Sequence, residues 1–265
     1  MKHPVIFAGA GPGDPELITV KTQRAIEEAD VILFTGSLVP EAVFGRAKPE
    51  AERINSASMH LARIVEKMVD GYRAGKRVLR LHTGDPSLYG AIFEQMVELD
   101  REAVPYKIIP GVTAAFAAAS ALGIEYTLPE ATQTLILTRM GGKTPVPDSE
   151  SLASLASHRA SMAIYLSIGH IEEVQAVLKE AYGPDAGCAV VCRAGHPDEK
   201  VIVTRIESLA RRVQAEKITR QAVIIVGKGL EARHGGKGKV AKSKLYDEGF
   251  EHGFRSADRA EDPEE

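Results

Sequence analysis

Three short segments combine glycine, proline and a small polar residue in a way that suits ligand binding. They read "GAGPGDPELIT" (9–19), "HTGDPSLYG" (82–90) and "IPGVTA" (109–114), and each follows a short apolar run typical of a strand. Ligands of open α/β sheets bind outside the carboxyl ends of the strands. The three segments therefore predict loops that converge on one ligand.

The first loop superficially resembles a dinucleotide-binding fingerprint, but its details argue against one. The third glycine comes one residue too early for G-x-G-x-x-G, and Pro12 lacks an N–H group that could hold a pyrophosphate. Asp14 and Glu16 then place two carboxylates where a phosphate needs positive charge. The sequence thus disfavours NAD and FAD, and the glycines are interpreted as serving close backbone approach.

Composition excludes several other classes of protein. The 265 residues are 44% hydrophobic and 26% charged, with a formal net charge of −3, so nothing indicates bulk attraction to nucleic acid or a membrane. No apolar run approaches the roughly 20 residues of a membrane span, and the N-terminal apolar run is too short for a secretory signal. Cys188 and Cys192, about 13 Å apart along a predicted strand, are too distant for a disulfide and predict two buried thiols in a reducing cytosol.

Strand and helix patterns alternate along the chain and predict an α/β fold. In the first half, apolar runs near residues 5–8, 31–34, 77–82 and 106–109 alternate with helical patterns over 20–29, 58–73 and from Ile92 onward. This spacing predicts a largely parallel sheet. In the second half two strands follow each other through the turn "GHPDE", which predicts a mixed sheet.

We therefore predict two α/β domains, each a mainly parallel or mixed sheet flanked by helices. The N-terminal domain spans 1–112 and the C-terminal domain 113–230, beginning with an alanine-dense helix that Thr113 can cap. Residues 231–265 are predicted to be a tail, partly docked and partly disordered. Its Tyr246, Phe250 and Phe254, four residues apart, can dock as one helical face.

Four motifs together resemble the tetrapyrrole (corrin/porphyrin) methylase family. These are the three segments above and "RAGHPDEKV" (193–201), in the same order and spacing, and the resemblance covers about residues 4–255. The stretches "SASMHL", "TQTLILTRMGGKTPVP" and "SKLYDEGFEHGFR" are similar to the subfamily that methylates C-11 of precorrin-4 or cobalt-precorrin-4. The resemblance implies a two-domain fold with the active site in the interdomain cleft, and S-adenosyl-L-methionine as methyl donor.

The resemblance also implies which residues bind each reactant. The cofactor is expected to meet main-chain groups and apolar side chains at Pro12, Thr83, Gly84, Asp85, Leu88, Thr113, Ala114, Leu166, Ala194 and Ala222. The "GPGDP" loop is expected on the substrate side, and the substrate candidates are Gly11, Gly13, Asp14, Met59, Arg80 and Arg139. Arginines suit this substrate because it carries several carboxylates.

Methyl transfer from a sulfonium needs mainly near-attack positioning, so no catalytic residue is assigned. Asp14, His60 and His82 are candidates for a general base, should a proton leave the ring. Lysines 143, 242 and 244 are looser candidates for substrate contact. No protein-bound metal is predicted, because any cobalt would travel with the substrate.

The resemblance further implies a cytoplasmic homodimer acting on a tetrapyrrole, with no nucleic acid or membrane partner. Two alternatives remain open. One is another position-specific precorrin or uroporphyrinogen methyltransferase. The other, from a different class, is a non-catalytic dinucleotide- or tetrapyrrole-binding protein.

Overall fold

The computed structural model describes residues 3–234 and 243–255. It contains two five-stranded sheets flanked by helices, as the sequence predicts. By its internal contacts the chain divides into unit 1 (1–122, 191–201 and 221–223) and unit 2 (123–190, 202–220 and 224–265). The boundary predicted at residue 112 differs from this division, since the alanine-dense helix falls in unit 1, as do two short segments from later in the chain.

The first sheet is entirely parallel, with strand order β3-β2-β4-β1-β5. Its strands are β1 (Val5–Gly9), β2 (Val31–Phe34), β3 (Glu52–Asn55), β4 (Val78–His82) and β5 (Tyr106–Ile109). The helices are α1 (Val20–Glu28), α2 (Leu61–Arg73), α3 (Ile92–Arg101) and α4 (Ala114–Leu122).

Side chains alternate between the two faces of this sheet and form two cores. Along β1, Val5 and Phe7 pack with α2 and α3, whereas Ala8 packs on the opposite face with Ile26 of α1. Burial on both faces explains why the runs of these strands are continuously apolar and do not alternate with polar residues. The central strands β1, β2 and β4 are almost wholly buried, which fixes the carboxyl ends from which the candidate loops leave.

The sequence patterns failed at two places in this sheet. β3 was not predicted, because its residues "ERIN" are charged and largely exposed, as an edge strand allows. The helix predicted over 58–73 begins at Leu61, because the amide of Met59 bonds the carbonyl of Ser56 and closes a turn there.

The second sheet is mixed, with order β6-β7-β10-β8-β9. β7 lies parallel to β6 and antiparallel to β10, which agrees with the predicted mixed sheet. The strands are β6 (Leu135–Arg139), β7 (Ser161–Tyr165), β8 (Gly187–Cys192), β9 (Lys200–Arg205) and β10 (Ala222–Val226). The helices are α5 (Leu152–Ala156), α6 (Ile171–Tyr182), α7 (Leu209–Ala215) and α8 (Lys228–His234).

The described part of the tail is not one continuous helix, so that prediction is wrong. Only a single 3₁₀ turn, Lys244–Tyr246, is present, and the backbone of His252 then pairs with Arg255. Tyr246 and Phe254 are 79% and 99% exposed. Asp247, Gly249 and Gly253 favour turns over a helix in this segment, and the amide of Gly249 indeed bonds the carboxylate of Asp247. Lys242 lies outside the described residues.

None of the helices in the described ranges has the length and apolar character needed to cross a bilayer.

Candidate functional site

The three glycine-rich loops of unit 1 lie side by side. β1 is hydrogen-bonded to β4 on one side and to β5 on the other, so the loops after these strands leave from the same edge. The first two loops bond each other directly: the amide of Gly84 donates to the carbonyl of Gly11 (2.7 Å), and the amide of Gly11 donates to the carbonyl of Gly84 (3.3 Å). The convergence predicted from the sequence is therefore present in unit 1.

Glycine is required where these loops cross. A Cβ on Gly111 would lie 2.2 Å from the carbonyl oxygen of Gly84, and one on Gly9 would lie 2.6 Å from the same oxygen. Neither distance is tolerable, because these neighbours are backbone atoms and cannot rotate away. Gly9 and Gly111 thus permit main chain to touch main chain, which agrees with the interpretation of close approach.

Asp85 fastens the second loop to the third. One carboxylate oxygen accepts the amide of Gly111 (2.8 Å), and the other accepts the amide of Ser87 (2.8 Å) and the Ser87 hydroxyl. Burial alone would raise the pKa of Asp85, but the bonds from Ser87 and Gly111 outweigh it and the pKa is lowered. The carboxylate therefore stays charged and holds both loops.

The predicted cofactor residues fall into three groups by exposure. Those that are buried and can offer only backbone or a small surface are Pro12, Gly84, Thr113, Ala194 and Ala222. Asp85, Leu88 and Ala114 are half-buried, and Thr83 is exposed. All of these belong to unit 1. Leu166 belongs to unit 2, where it is 70% exposed in a left-handed conformation with φ of +52°.

The substrate candidates in the first loop mostly shape its turn. Gly11 and Gly13 are buried, with φ of +69° and +152°. Asp14 caps the 3₁₀ turn Pro15–Leu17 by accepting the amide of Glu16 at 2.8 Å. Met59 packs partly against the core formed with α2 and α3.

Within the part of the chain that the structure describes, Arg80 and Arg139 donate hydrogen bonds to neutral acceptors. Arg80 is 3% exposed and donates to the hydroxyl of Ser56 (2.7 Å) and the side-chain oxygen of Gln95 (3.3 Å). Burial lowers its pKa to about 10, so it remains charged at neutral pH. Arg139, in unit 2 and half-buried, donates to the carbonyls of Met140, Thr144 and Pro145. Neither guanidinium is paired with a carboxylate among the described residues.

The two histidine candidates differ sharply. His60 is exposed and precedes α2. His82 is 3% exposed at the end of β4, 6.0 Å from the ring of Phe7, and its Nε2 atom has no hydrogen-bond partner in the described structure. Burial, followed by the charge of Arg80, lowers its pKa to about 3. A base this weak and this enclosed is poorly suited to accept a proton near neutral pH.

The sequence reasoning missed His196 and Arg193, although it singled out their motif. A Cβ on Gly13 would lie 2.2 Å from Cδ2 of His196, so this imidazole packs directly on the first loop. Arg193 bonds His196, Asp198 and Gln221 at once. A histidine next to "RAG" gives no indication of such a contact, because the two loops are about 180 residues apart in the sequence.

Metal ligands are not gathered anywhere in the described ranges: no group of three or more His, Cys, Asp or Glu side chains has a suitable arrangement. Cys188 and Cys192 are buried, as predicted, and burial raises the pKa of Cys188 to about 12. The thiols are therefore inert side chains of β8.

Comparison with known proteins decides the family. The model of the tetrapyrrole (corrin/porphyrin) methylases matches residues 4–210. The chain belongs to the tetrapyrrole methylase family. This tetrapyrrole methylase is 47% identical over 254 residues to a cobalt-precorrin-4 C(11)-methyltransferase of Methanocaldococcus jannaschii, covering 96% of each chain. It is also 45% identical over 251 residues to a precorrin-4 C(11)-methyltransferase of Pseudomonas aeruginosa, covering 95% of this chain and 98% of the relative.

Solved structures of similar methylases share the fold. A cobalt precorrin-4 methyltransferase superposes with a TM-score of 0.83 at 45% identity, over 85% of this chain and 95% of that one. A uroporphyrin-III C-methyltransferase of Thermus thermophilus in complex with S-adenosyl homocysteine superposes with a TM-score of 0.72 at 28% identity, over 87% of this chain and all of that one.

Proposed function

We propose that this protein transfers a methyl group from S-adenosyl-L-methionine to C-11 of precorrin-4 or cobalt-precorrin-4, giving the precorrin-5 type of ring in cobalamin biosynthesis. The observation that carries the proposal is identity of 45–47%, over nearly the full length, to C(11)-methyltransferases of both substrate types. Because relatives of both types match almost equally well, the proposal covers a ring with or without cobalt.

The loop edge of unit 1 fits S-adenosyl-L-methionine. The proposed cofactor residues there are uncharged apart from Asp85. The carboxylate of Asp85 is already occupied by three donors, so it does not compete with an adenine or a methionine carboxylate for those groups. The residues we propose for the cofactor are Pro12, Thr83, Gly84, Asp85, Leu88, Thr113, Ala114, Leu166, Ala194 and Ala222. In this set Asp85 acts by holding the loops that present backbone groups.

The cofactor, when bound, supplies a sulfonium-activated methyl group. The chain's own task is then to hold the ring carbon and the donor in line, an effect worth about 7–11 kcal/mol in well-oriented reactions. The crossed glycines and the Asp85 bonds make the three loops rigid, which suits that task. No side chain is proposed to take a proton.

Arginine side chains suit a substrate ring that carries several carboxylates. Arg139 is the better candidate for direct contact, because it is half-buried and bonded only to carbonyl oxygens. Arg80 is enclosed, so we propose that it adds positive potential at the end of β4 without leaving its pocket. Gly11, Gly13, Asp14 and Met59 complete the proposed substrate set.

We further propose that the enzyme is a cytoplasmic homodimer that needs no metal of its own. Sedimentation velocity tests the dimer, which requires twice the mass of one chain. Metal analysis of the active enzyme tests the second part, since a stoichiometric metal retained by the protein would contradict it.

Methyl transfer is tested with radiolabelled donor and either precorrin-4 or cobalt-precorrin-4. We expect label in one ring product, with NMR placing the new methyl at C-11, and no label when the donor is omitted. Transfer to another carbon would identify a different position-specific methylase. Folded protein that binds tetrapyrrole without any transfer would identify a carrier and overturn the proposal.

A further inference from the structure

The turn at residues 193–197, "RAGHP", packs tightly on the "GPGDP" loop within unit 1. A Cβ on Gly13 would lie 2.2 Å from Cδ2 and 2.4 Å from Nε2 of His196. A Cβ on Gly195 would in turn lie 3.0 Å from Cγ of Pro12. Each segment therefore places a glycine where the other places a ring, and neither glycine has space for a side chain.

Hydrogen bonds fix the tautomer of His196. Its Nδ1 atom lies 3.1 Å from a terminal nitrogen of the Arg193 guanidinium, which can only donate. Nδ1 must therefore be the unprotonated acceptor. The Nε2 atom of His196 lies against the first loop, 2.4 Å from where a Cβ on Gly13 would stand. The main-chain group of Pro12 that it meets there has a carbonyl but no N–H, so this group can only accept a hydrogen bond from the imidazole. The ring nitrogen that donates to this carbonyl is consequently Nε2.

Arg193 is itself held firmly. Its Nε donates to Asp198 (2.7 Å), and a terminal nitrogen donates to the side chain of Gln221 (2.9 Å). Its own amide donates to the carbonyl of Gln221 (2.7 Å), and its φ is +54°. A non-glycine residue in this conformation costs energy and persists only when its surroundings enforce it. Such outliers cluster at functional sites.

We propose that His196 is a positioning residue: as a neutral imidazole it ties the carbonyl of Pro12 to Arg193 and so fixes the "GPGDP" loop for the tetrapyrrole. This proposal rests on the proposed function in one respect, which is that the "GPGDP" loop contacts the tetrapyrrole substrate. Protonation of Nδ1 would place an N–H group opposite the N–H groups of the guanidinium and break the hydrogen bond between Arg193 and His196. Arg193 disfavours that proton and Asp198 favours it, while burial, the largest influence, keeps the pKa of His196 lowered.

Two amide substitutions separate the two bonds. His196→Gln places its NH₂ near the position of Nε2 and keeps donation to Pro12, whereas His196→Asn replaces Nδ1 and keeps only the bond from Arg193. We expect His196→Asn to raise the KM for tetrapyrrole about tenfold with kcat nearly unchanged, and His196→Gln to stay within about twofold of wild type. Binding of S-adenosylhomocysteine, measured by calorimetry, should change less than about twofold in both.

Amide hydrogen exchange of residues 13–17 gives a readout that needs no substrate. His196→Asn should speed this exchange about fivefold or more, and His196→Gln should not. NMR of the wild-type imidazole should report the Nε2–H tautomer, a measurement that does not depend on any variant folding. The Nδ1–H tautomer, or equal behaviour of the two variants, would overturn the proposal. If exchange responds as expected but wild-type protein methylates no tetrapyrrole, the loop link stands and the proposed function fails.

Discussion

Asp85 is proposed to support cofactor binding indirectly, through the loops that it holds together. Its carboxylate accepts the amides of Gly111 and Ser87 and the hydroxyl of Ser87, which leaves it bonded to protein on both oxygens. A carboxylate with such partners orders the loops around it. Its contribution to cofactor binding should therefore follow from its contribution to loop structure.

Asp85→Asn should weaken both the structure of the loops and the binding of the cofactor. An amide oxygen accepts fewer donors than a carboxylate and its NH₂ group cannot accept the amide of Gly111, so we expect the free energy of unfolding to fall by about 1–3 kcal/mol. Urea denaturation measures this, and calorimetry should show weaker S-adenosylhomocysteine binding. Asp247→Asn is the control, because the carboxylate of Asp247 accepts the exposed amide of Gly249, which the oxygen of an Asn side chain can still accept. Equal small effects in both variants would contradict the role of Asp85.

His82 predicts a dependence of stability on pH. Its pKa is near 3 in the folded protein against about 6.5 when unfolded, so below pH 6.5 only the unfolded chain gains the proton. Stability is therefore lost as the pH falls from about 6.5 towards 3. Between pH 7 and pH 5 the loss from this one group is about 2 kcal/mol.

His82→Gln, which cannot titrate, tests that dependence. Between pH 7 and pH 5 the free energy of unfolding should fall in both proteins. We expect the fall to be about 2 kcal/mol smaller in His82→Gln than in wild type, as measured by urea titration at each pH. Parallel pH profiles for the two proteins would mean that His82 is accessible to protons in the folded state.

At the scale of elements, the crossing of the loops after β1, β4 and β5 decides the geometry of the site. The sheet brings the three strand ends together, and glycine lets their backbones meet. The sequence predicted the parallel arrangement from alternating strand and helix patterns. It did not predict the edge strand β3, because this strand is largely exposed and its residues "ERIN" do not form an apolar run.

Gly111→Ala should disrupt this crossing. The added methyl would meet the carbonyl of Gly84 at 2.2 Å, so we expect destabilisation of about 2 kcal/mol or more, measured by chemical denaturation. Gly169→Ala is the matched control, since its Cβ would meet nothing within 4 Å, and its effect should stay within about 0.5 kcal/mol. A Gly111→Ala protein as stable as this control would mean that the loops separate without cost.

At the scale of the whole molecule, the acidic first loop and the match to tetrapyrrole methylases both point away from nicotinamide and flavin cofactors. A ligand that binds only the folded protein stabilises it in proportion to its occupancy. The shift in the unfolding temperature on adding a ligand therefore tests which cofactor the folded protein binds.

S-adenosylhomocysteine at a hundredfold excess over its Kd should stabilise the protein by about 2.7 kcal/mol. We expect a clear rise in Tm with this ligand and none with NAD at the same concentration, measured by differential scanning calorimetry. The opposite pattern would support a dinucleotide-binding module and contradict the proposed function.

The sequence by itself determined the fold class, the two sheets, the family and the three glycine-rich loops that converge. These follow from short-range patterns: apolar periodicity, and glycine and proline at strand ends. Only the tertiary structure decided which atoms meet, because Asp85 and Gly111, or Gly13 and His196, are brought together from distant parts of the chain by the packing of whole strands. The glycines of the first loop were recognised as permitting close approach; the folded chain identified what approaches them, which is backbone at Gly9 and an imidazole at Gly13.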